Sequence, residues 1–293
     1  KVCGWVPKCE NCDVSLTYHK NINDLVCHYC GFHMSSPSSC LACGDTALQT
    51  KGFGTEKIEE EIKMFFPDAK VARMDHDTTK TKNSHEKIIT EFEQKNIDIL
   101  IGTQMISKGL DFENVRVVGI MNADNLLNFP DFRAYERSYQ LMVQVSGRAG
   151  RKGKQGKVVI QTADTQNIII KSVVNNDYNM MVRHQLLERK NFKYPPYYRL
   201  IKITLKHKNF YKVDKSSEVL GDYLKQVFGE RVLGPEFPLI NRIQNWYLKD
   251  ILIKIEKEKS LKAARDIIIT GINRLKNVKE YSGIQININI DPM

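Results

Sequence analysis

Ile97-Asp-Ile-Leu-Ile-Gly-Thr-Gln-Met-Ile-Ser-Lys-Gly-Leu-Asp111 joins a short apolar run to a polar loop bounded by two glycines. The run, Ile97–Ile101, reads as a buried strand. The loop offers two hydroxyls, a lysine and a carboxylate, and in open α/β sheets function gathers in loops at the carboxyl ends of strands. The flanking sequence alternates in the same sense. Val71–Met74 reads as a strand. Ser84–Glu93 reads as a helix with Ile88, Ile89 and Phe92 on its apolar side. Val115–Met121 is a strand almost unbroken in apolarity, as a parallel sheet covered on both faces requires. Arg133–Val145 is helical and Lys157–Thr162 a strand. Upstream, Thr55 can cap a helix through about Phe66, with Glu56 and Glu59 in its first turn and Ile58, Ile62 and Phe65 on one face. Such alternation predicts an α/β fold, a parallel sheet with helices on both sides.

Tyr194-Pro-Pro-Tyr197 closes this region, because consecutive prolines end helices and set an extended connection. Beyond it Ile201, Ile203 and Leu205 alternate with Lys202, Thr204 and Lys206. Ile251, Ile253 and Ile255 share that spacing, as do Ile284, Ile286, Ile288 and Ile290. Helical patterns fall between, over Asp214–Phe228 and Ser260–Leu275. This is a small α+β domain with a half-exposed sheet.

The amino-terminal region is different. All 7 cysteines lie at or before Cys43. Cys9/Cys12, Cys27/Cys30 and Cys40/Cys43 form Cys-x-x-Cys knuckles, the spacing that lets one tight turn aim two sulfurs at a tetrahedral metal. A disulfide framework is the alternative, but no secretion signal accompanies the cysteines. Cys30, Cys43 and the remaining Cys3 are each followed by glycine, a residue suited to positive φ where the chain turns away from a metal. Cys3 therefore reads as the second half of a fourth knuckle whose first cysteine lies upstream of Lys1, in a longer protein. Cys9, Cys12, Cys27 and Cys30 can form one complete zinc site. Cys3, Cys40 and Cys43 would be three ligands of a second. Pairing by sequence neighbours remains open. His19, His28 and His33 are nearby, but read as loop histidines where cysteines suffice.

A net charge of +10 favours a polyanionic partner such as nucleic acid. No apolar run approaches the roughly 20 residues of a membrane span. Gln144-Val-Ser-Gly-Arg-Ala-Gly-Arg151 places two permanently charged forks three residues apart, flanked by glycines. Taken alone it is either an arginine finger for a nucleoside triphosphate or a basic surface loop. Gly52-Phe-Gly-Thr-Glu56 opens the first helix, where glycines and a helix N-terminus can face a phosphate.

In their order and spacing these loops resemble the second RecA-like lobe of superfamily 2 helicases. Gly102-Thr-Gln-Met-x-x-Lys-Gly-Leu-Asp-Phe112 looks like motif V, and Gln144-x-x-Gly-Arg-x-Gly-Arg151 like motif VI. The cysteine segment before Gly-Phe-Gly-Thr-Glu56, then Pro130-Asp-Phe-Arg-Ala-x-Glu-Arg137 leading into motif VI, is similar to the primosomal protein N′ (PriA) family of bacterial replication-restart helicases. The likeness spans the whole chain. Ser146, where alanine is common, and Asn122-Ala-Asp124, where an acidic pair is common, depart from it.

The resemblance implies a RecA-like parallel-sheet helicase lobe over residues 49–193. It implies a Cys-rich zinc-binding insertion over 1–48, with two four-cysteine sites, one truncated, and a small α+β C-terminal domain over 194–293. It implies that Arg148 and Arg151 reach ATP held on another lobe, with Gln144 orienting their loop. Gly109, Asp111 and, less directly, Glu56 would lie beside the nucleotide. Thr103 and Lys108 would hold the DNA backbone. Implied partners are replication forks, single-stranded DNA, single-stranded-DNA-binding protein and primosome proteins, including the machinery that loads the replicative helicase. Lys262 and Arg265, on one helical face, are candidates for the acidic tail of the single-stranded-DNA-binding protein. The implied setting is the bacterial cytoplasm and nucleoid, with no membrane partner.

The expected activity is ATP-dependent 3′→5′ DNA unwinding with zinc, ATP and magnesium. This sequence holds no Gly-x-x-x-x-Gly-Lys-Ser/Thr phosphate loop and no acidic box suited to magnesium after a strand. The chain alone is therefore expected to have negligible ATPase activity. A non-catalytic zinc-dependent nucleic-acid-binding module is the alternative. An RNA remodeller fits the motor loops but not the zinc insertion.

Overall fold

The computed structural model describes residues 3–20, 22–49, 54–75, 78–79, 82–107, 112, 114–150 and 155–292. It comprises two compact units, Lys1–Thr50 with Arg189–Met293, and Lys51–Glu188. In the first fifty residues, β1 (Thr17–His19), β2 (Asp24–Val26) and β3 (His33–Ser35) form a small antiparallel sheet in that order. Leu25 pairs with both Tyr18 and Met34. Three-residue strands bury little. The core beneath them is Leu16, Leu25 and three cysteines, Cys9, Cys12 and Cys27. A segment this small lacks the apolar area to hold itself together and needs a staple.

The second unit runs α1 (Thr55–Phe65), β4 (Val71–Met74), α2 (Lys82–Glu93), β5 (Ile99–Gly102), β6 (Val117–Ile120), α3 (Ala123–Leu127), α4 (Ala134–Ser146), β7 (Lys157–Ile160), α5 (Ile168–Val174) and then α6 (Tyr178–Asn191). The strands are parallel, as the alternation predicts. Val71 lies opposite Ile99 and Met74 opposite Gly102; Val117 lies opposite Lys157 and Ile120 opposite Ile160. Among the described residues they make two separate parallel pairs. Met74 and Phe112 form the buried centre beside β4–β5, with Ile88, Ile89 and Phe92 of α2 packed on them. Ile120 and Ile160 pack into a second core with Leu127, Tyr139, Met142 and Ile169.

Two sequence expectations for this unit are corrected. The β6 strand is not covered on both faces. Its exposure alternates, Val117 is 62% exposed, and Val159 beside it is exposed as well. The helices α3, α4 and α5 build their core against Ile120 and Ile160, and the opposite face stays open. The apolar stripe of α1 is only partly used: Ile58 and Ile62 are half-buried, but Phe65 is 77% exposed. A four-residue strand spans about 13 Å and an eleven-residue helix about 16 Å, so the last turn of α1 outruns the strands.

The carboxyl-terminal part contains β8 (Tyr198–His207), α7 (Phe210–Phe228), β9 (Val232–Glu236), β10 (Arg242–Ile243), β11 (Trp246–Glu256), α8 (Leu261–Lys276) and β12 (Gln285–Ile290). The sheet is antiparallel in the order β10-β11-β8-β12, with β9 also paired to β11. Ile201, Ile203, Leu205, Ile251, Ile253 and Ile255 form its inner face. Against them lie Val213, Leu220, Leu224 and Phe228 of α7, with Ile268, Ile272 and Leu275 of α8. The α7 helix begins earlier than its apolar pattern, because the Asn209 side chain accepts the Lys212 N–H at 3.2 Å and caps it. Ser260 caps α8 in the same way. Ile288 and Ile290 keep the predicted alternation but are exposed, since β12 is an edge strand of the sheet.

The Tyr194-Pro-Pro-Tyr segment is tied to the outer face of β11. Buried Lys254 donates to the Phe192 carbonyl at 2.7 Å and lies 3.7 Å above the Tyr194 ring. Burial pushes its ammonium pKa down, with Lys193 adding to the effect.

Leu224 is fully buried between sheet and helices. Leu224→Ala is expected to cost about 2–5 kcal/mol in urea denaturation followed by circular dichroism. A Cβ at Gly271 would meet the Tyr223 ring at 2.5 Å. Gly271→Ala therefore destabilises, despite the usual helix-propensity gain.

Candidate metal centres and phosphate-facing loops

The knuckles share one backbone form. The amides of Cys9, Cys27 and Cys40 donate to the carbonyls of Val14, Phe32 and Asp45, each five residues on, at 2.7–2.9 Å. Gly4, Gly31 and Gly44 all have φ between +67° and +75°, the left-handed conformation that favours glycine. These turns bring Cys9, Cys12, Cys27 and Cys30 together, with all four sulfurs within 4.8 Å of one another. The Cys9 and Cys30 sulfurs are 3.4 Å apart. Tetrahedral Zn–S bonds of about 2.3 Å place sulfurs about 3.8 Å apart, so the cluster fits that ion. A second cluster gathers Cys3, Cys40 and Cys43. The Cys3 and Cys40 sulfurs are 3.5 Å apart despite 37 residues of separation. None of the seven is in a disulfide.

The electrostatics of the first cluster suit a cation. Burial pushes the Cys12 thiol up to about 12, against the pull of the Gln244 amide. At Cys30 burial also acts upward, but the Phe32 amide and the neighbouring thiols outweigh it and hold the group at about 7. A soft divalent ion is what lets such a set give up its protons together. Amides already point at the sulfurs: Asn11 N–H donates to Cys9 Sγ at 3.4 Å, and Gln244 N–H to Cys12 Sγ at 3.2 Å. Four thiols and two oriented amides could together hold a soft divalent metal ion.

In the other unit, the loop after β5 begins at exposed Thr103. Gly102 is required there, because a Cβ would meet the Ile106 side chain and the Met74 carbonyl at 2.5 Å. The loop's far end is pinned by buried Phe112, whose ring meets Phe92 edge-on at 4.8 Å. Lys108, Gly109 and Asp111 lie outside the described residues, as does Arg151.

The arginine loop leaves the end of α4. Asp131 sets the start of that helix, accepting Arg133 N–H at 2.8 Å and pairing with Arg137 at 2.9 Å. Gln144 is exposed near the helix end, and Arg148 is half-buried just past it, its N–H on the Val145 carbonyl. Gly150 has φ +78° and donates to the Val115 carbonyl at 3.0 Å, which turns the chain back toward β6. The single turn Gln104–Ser107 packs on α4, so Thr103's loop and Arg148's helix are neighbours.

Glu56 sits in the first turn of α1, 3.6 Å from Arg73. Thr55 does not cap this helix: Gly54 occupies the cap position, and the Thr55 hydroxyl donates to Asp75 at 2.5 Å. Asp75 is buried and also accepts Thr78 N–H and pairs with Arg73 at 3.1 Å. Burial alone would raise its carboxyl pKa; those hydrogen bonds and the Arg73 charge bring it below the usual range. This Asp75–Arg73 cluster escaped the sequence reading, although an aspartate directly after a strand was the available signal. Asn122 adopts φ +51°, a conformation asparagine tolerates, and Asp124 ties α3 to the end of β7 through Ala163 N–H and the Thr162 hydroxyl. Lys262 and Arg265 are both exposed, three residues apart on α8.

Known families align with these regions. A model of the PriA DNA helicase Cys-rich region matches residues 9–34, one of the helicase conserved C-terminal domain matches residues 47–153, and one of the primosomal protein N C-terminal domain matches residues 190–293. Replication restart protein PriA of Bacillus subtilis is 40% identical over 292 residues, covering 99% of this chain and 36% of that protein. The protein of the same name in Synechocystis is 36% identical over 297 residues, covering 99% and 35%. That of Thermotoga maritima is 38% identical over 280 residues, covering 95% and 37%. The chain thus spans little more than a third of the relatives it matches.

Metal analysis of the purified chain is expected to find one to two zinc ions, and Cys12→Ser to remove one; a folded, metal-free chain would refute the assignment. Asp75→Asn is expected to lower the stability of its unit by about 1–3 kcal/mol at neutral pH. Because the folded carboxyl pKa is lowered, that contribution is full above about pH 4 and is lost as pH falls through the lowered value. Urea titrations at pH 7 and pH 3 read the difference directly.

Proposed function

We propose that this chain, which belongs to the PriA family of replication restart proteins, supplies part of an ATP-dependent 3′→5′ DNA helicase. That helicase acts at stalled replication forks and restarts replication through primosome assembly. Residues 1–48 are its zinc module, 49–193 its second motor lobe and 194–293 its C-terminal domain. The observation that carries this reading is the neighbourhood of α4 and the turn Gln104–Ser107. That contact supports a reading in which the loop after β5 holds a phosphodiester backbone and the loop after α4 reaches a nucleotide.

In this reading Arg148 and Arg151 approach the γ-phosphate of ATP bound on another lobe, where a permanent positive charge lowers the barrier to phosphoryl transfer. Gln144 orients their loop. Gly109, Asp111 and Glu56 lie beside the nucleotide, and Thr103 and Lys108 grip the tracked strand. Magnesium and the phosphate cradle come from that other lobe, so the chain alone turns over no ATP at helicase rates. Zinc holds the amino-terminal module in shape for DNA forks and primosome partners, including the helicase-loading machinery. Lys262 and Arg265 offer positive charge to the acidic tail of single-stranded-DNA-binding protein. The setting is the bacterial cytoplasm, at the nucleoid.

The test is Arg151→Ala, and separately Arg148→Ala, in the full-length protein. Loss of DNA-stimulated ATP hydrolysis by about 10³-fold or more, with DNA binding retained, is the expected result. Unchanged hydrolysis removes the finger role. Salt titration of DNA binding by the 293-residue chain should show affinity falling steeply with ionic strength.

A further inference from the structure

We propose that the turn Gln244-Asn245 of the C-terminal sheet is a built part of the four-cysteine centre. A metal ion held by Cys9, Cys12, Cys27 and Cys30 and the docking of that segment on the sheet then stabilise each other.

The turn joins β10 to β11, with Ile243 paired to Trp246 across it. Gln244 and Asn245 have φ +52° and +62°. Both values are left-handed, as a two-residue hairpin loop of the primed type requires. Asparagine accepts that conformation readily; glutamine does not, and such backbone persists where surroundings over-determine it. The N–H groups at the tip of such a loop have no partner in their own ladder and must find one elsewhere. Gln244 N–H goes to Cys12 Sγ at 3.2 Å, across 232 residues of sequence. Asn245 N–H goes to the Asn11 carbonyl at 2.8 Å, and its side-chain amide to Asn11 Oδ1 at 3.0 Å. The Gln244 side chain donates to the Tyr29 carbonyl at 3.1 Å, and Asp13 N–H returns a bond to the Arg242 carbonyl at 2.8 Å. Ile243 packs into the cluster formed by the cysteines, Leu16 and Leu25.

Four hydrogen bonds thus join the first knuckle to a single hairpin, a fifth joins the second knuckle at Tyr29, and Ile243 adds an apolar contact. One of those bonds ends on a metal-ligating sulfur. An amide aimed at a thiolate is strongest when the sulfur carries charge, which is how it is held on a metal. Loss of the ion weakens that bond and frees the knuckle that presents Asn11 and Asp13. Undocking the turn, conversely, strips Cys12 of a donor that favours its charged form. Linkage of this kind is reciprocal. The zinc segment and the C-terminal sheet therefore form one body while metal is held, and part when it leaves. This rests on the reading of the four thiols as a zinc site.

The experiment uses the 293-residue chain with Cys3→Ser and Cys43→Ser, so that only the first cluster is read. Zinc content is measured first; absence of metal would take down the zinc reading and this inference together. With metal present, chelation is expected to speed hydrogen exchange at the Gln244 and Asn245 amides at least tenfold. The Ile203 and Ile253 amides in the centre of the sheet stay protected. Ile243→Asp is expected to speed zinc loss to a chelator at least tenfold, while Leu239→Asp, in the same domain at an exposed position, leaves the rate unchanged. Unchanged exchange at 244 and 245 on metal removal overturns the inference and leaves the zinc reading standing. Should Ile243→Asp disturb folding, the exchange arm on the unsubstituted turn still decides.

Discussion

Four thiols, three of them buried, held within 4.8 Å of one another are the constraint on which the amino-terminal segment depends. Its strands are three residues long, and three of the five residues in its buried core are cysteines. Little else there can oppose the entropy of ordering the chain. A metal held there would supply what the apolar surface cannot, by drawing two distant knuckles to one point. The segment's shape follows from that point outward.

The same economy explains how the first knuckle meets the carboxyl-terminal sheet. A hairpin tip leaves two backbone amides unspent, and a knuckle leaves sulfur and carbonyl acceptors facing outward. Each supplies what the other lacks, so the contact needs no broad apolar interface. The extended inner face of the sheet is used instead for α7 and α8, where Ile203, Leu205, Ile251 and Ile253 are completely buried. In the other unit the parallel pairs β4–β5 and β6–β7 act as short platforms. Their carboxyl ends carry Asp75, Thr103 and the segment toward α3. The return from α4 runs past Arg148 to Gly150, whose N–H bonds the Val115 carbonyl just before β6.

Much of this was legible in the residues. Alternation of apolar runs with amphipathic stretches marked the parallel pairs, because strand and helix periods differ and each is local. Glycine after Cys3, Cys30 and Cys43 marked three of the turns, since positive φ is a single-residue property. The uncovered face at Val117 was not legible. An apolar strand has the same sequence whether one face or both are packed, and only the positions of α3, α4 and α5 decide. Phe65 failed for a related reason: helical spacing says which residues share a face, not whether the neighbouring strands are long enough to cover it. Thr55 is a good capping residue by type, yet Asp75 lies close enough to take its hydroxyl.

By itself, then, the amino-acid sequence determined the classes of element, the spacing of the cysteines, the glycine-bounded polar and basic loops and the family likeness. All of these are set by residues within a few positions of one another. Only the tertiary structure decided which sulfurs meet across 37 residues, that Asp75 gathers Thr55 and Arg73, and that the Gln244 amide reaches Cys12. Those pairings depend on where whole elements come to rest. A hydrogen bond spanning 232 residues leaves no local pattern, because neither a glutamine in a turn nor a cysteine in a knuckle carries any mark of its distant partner.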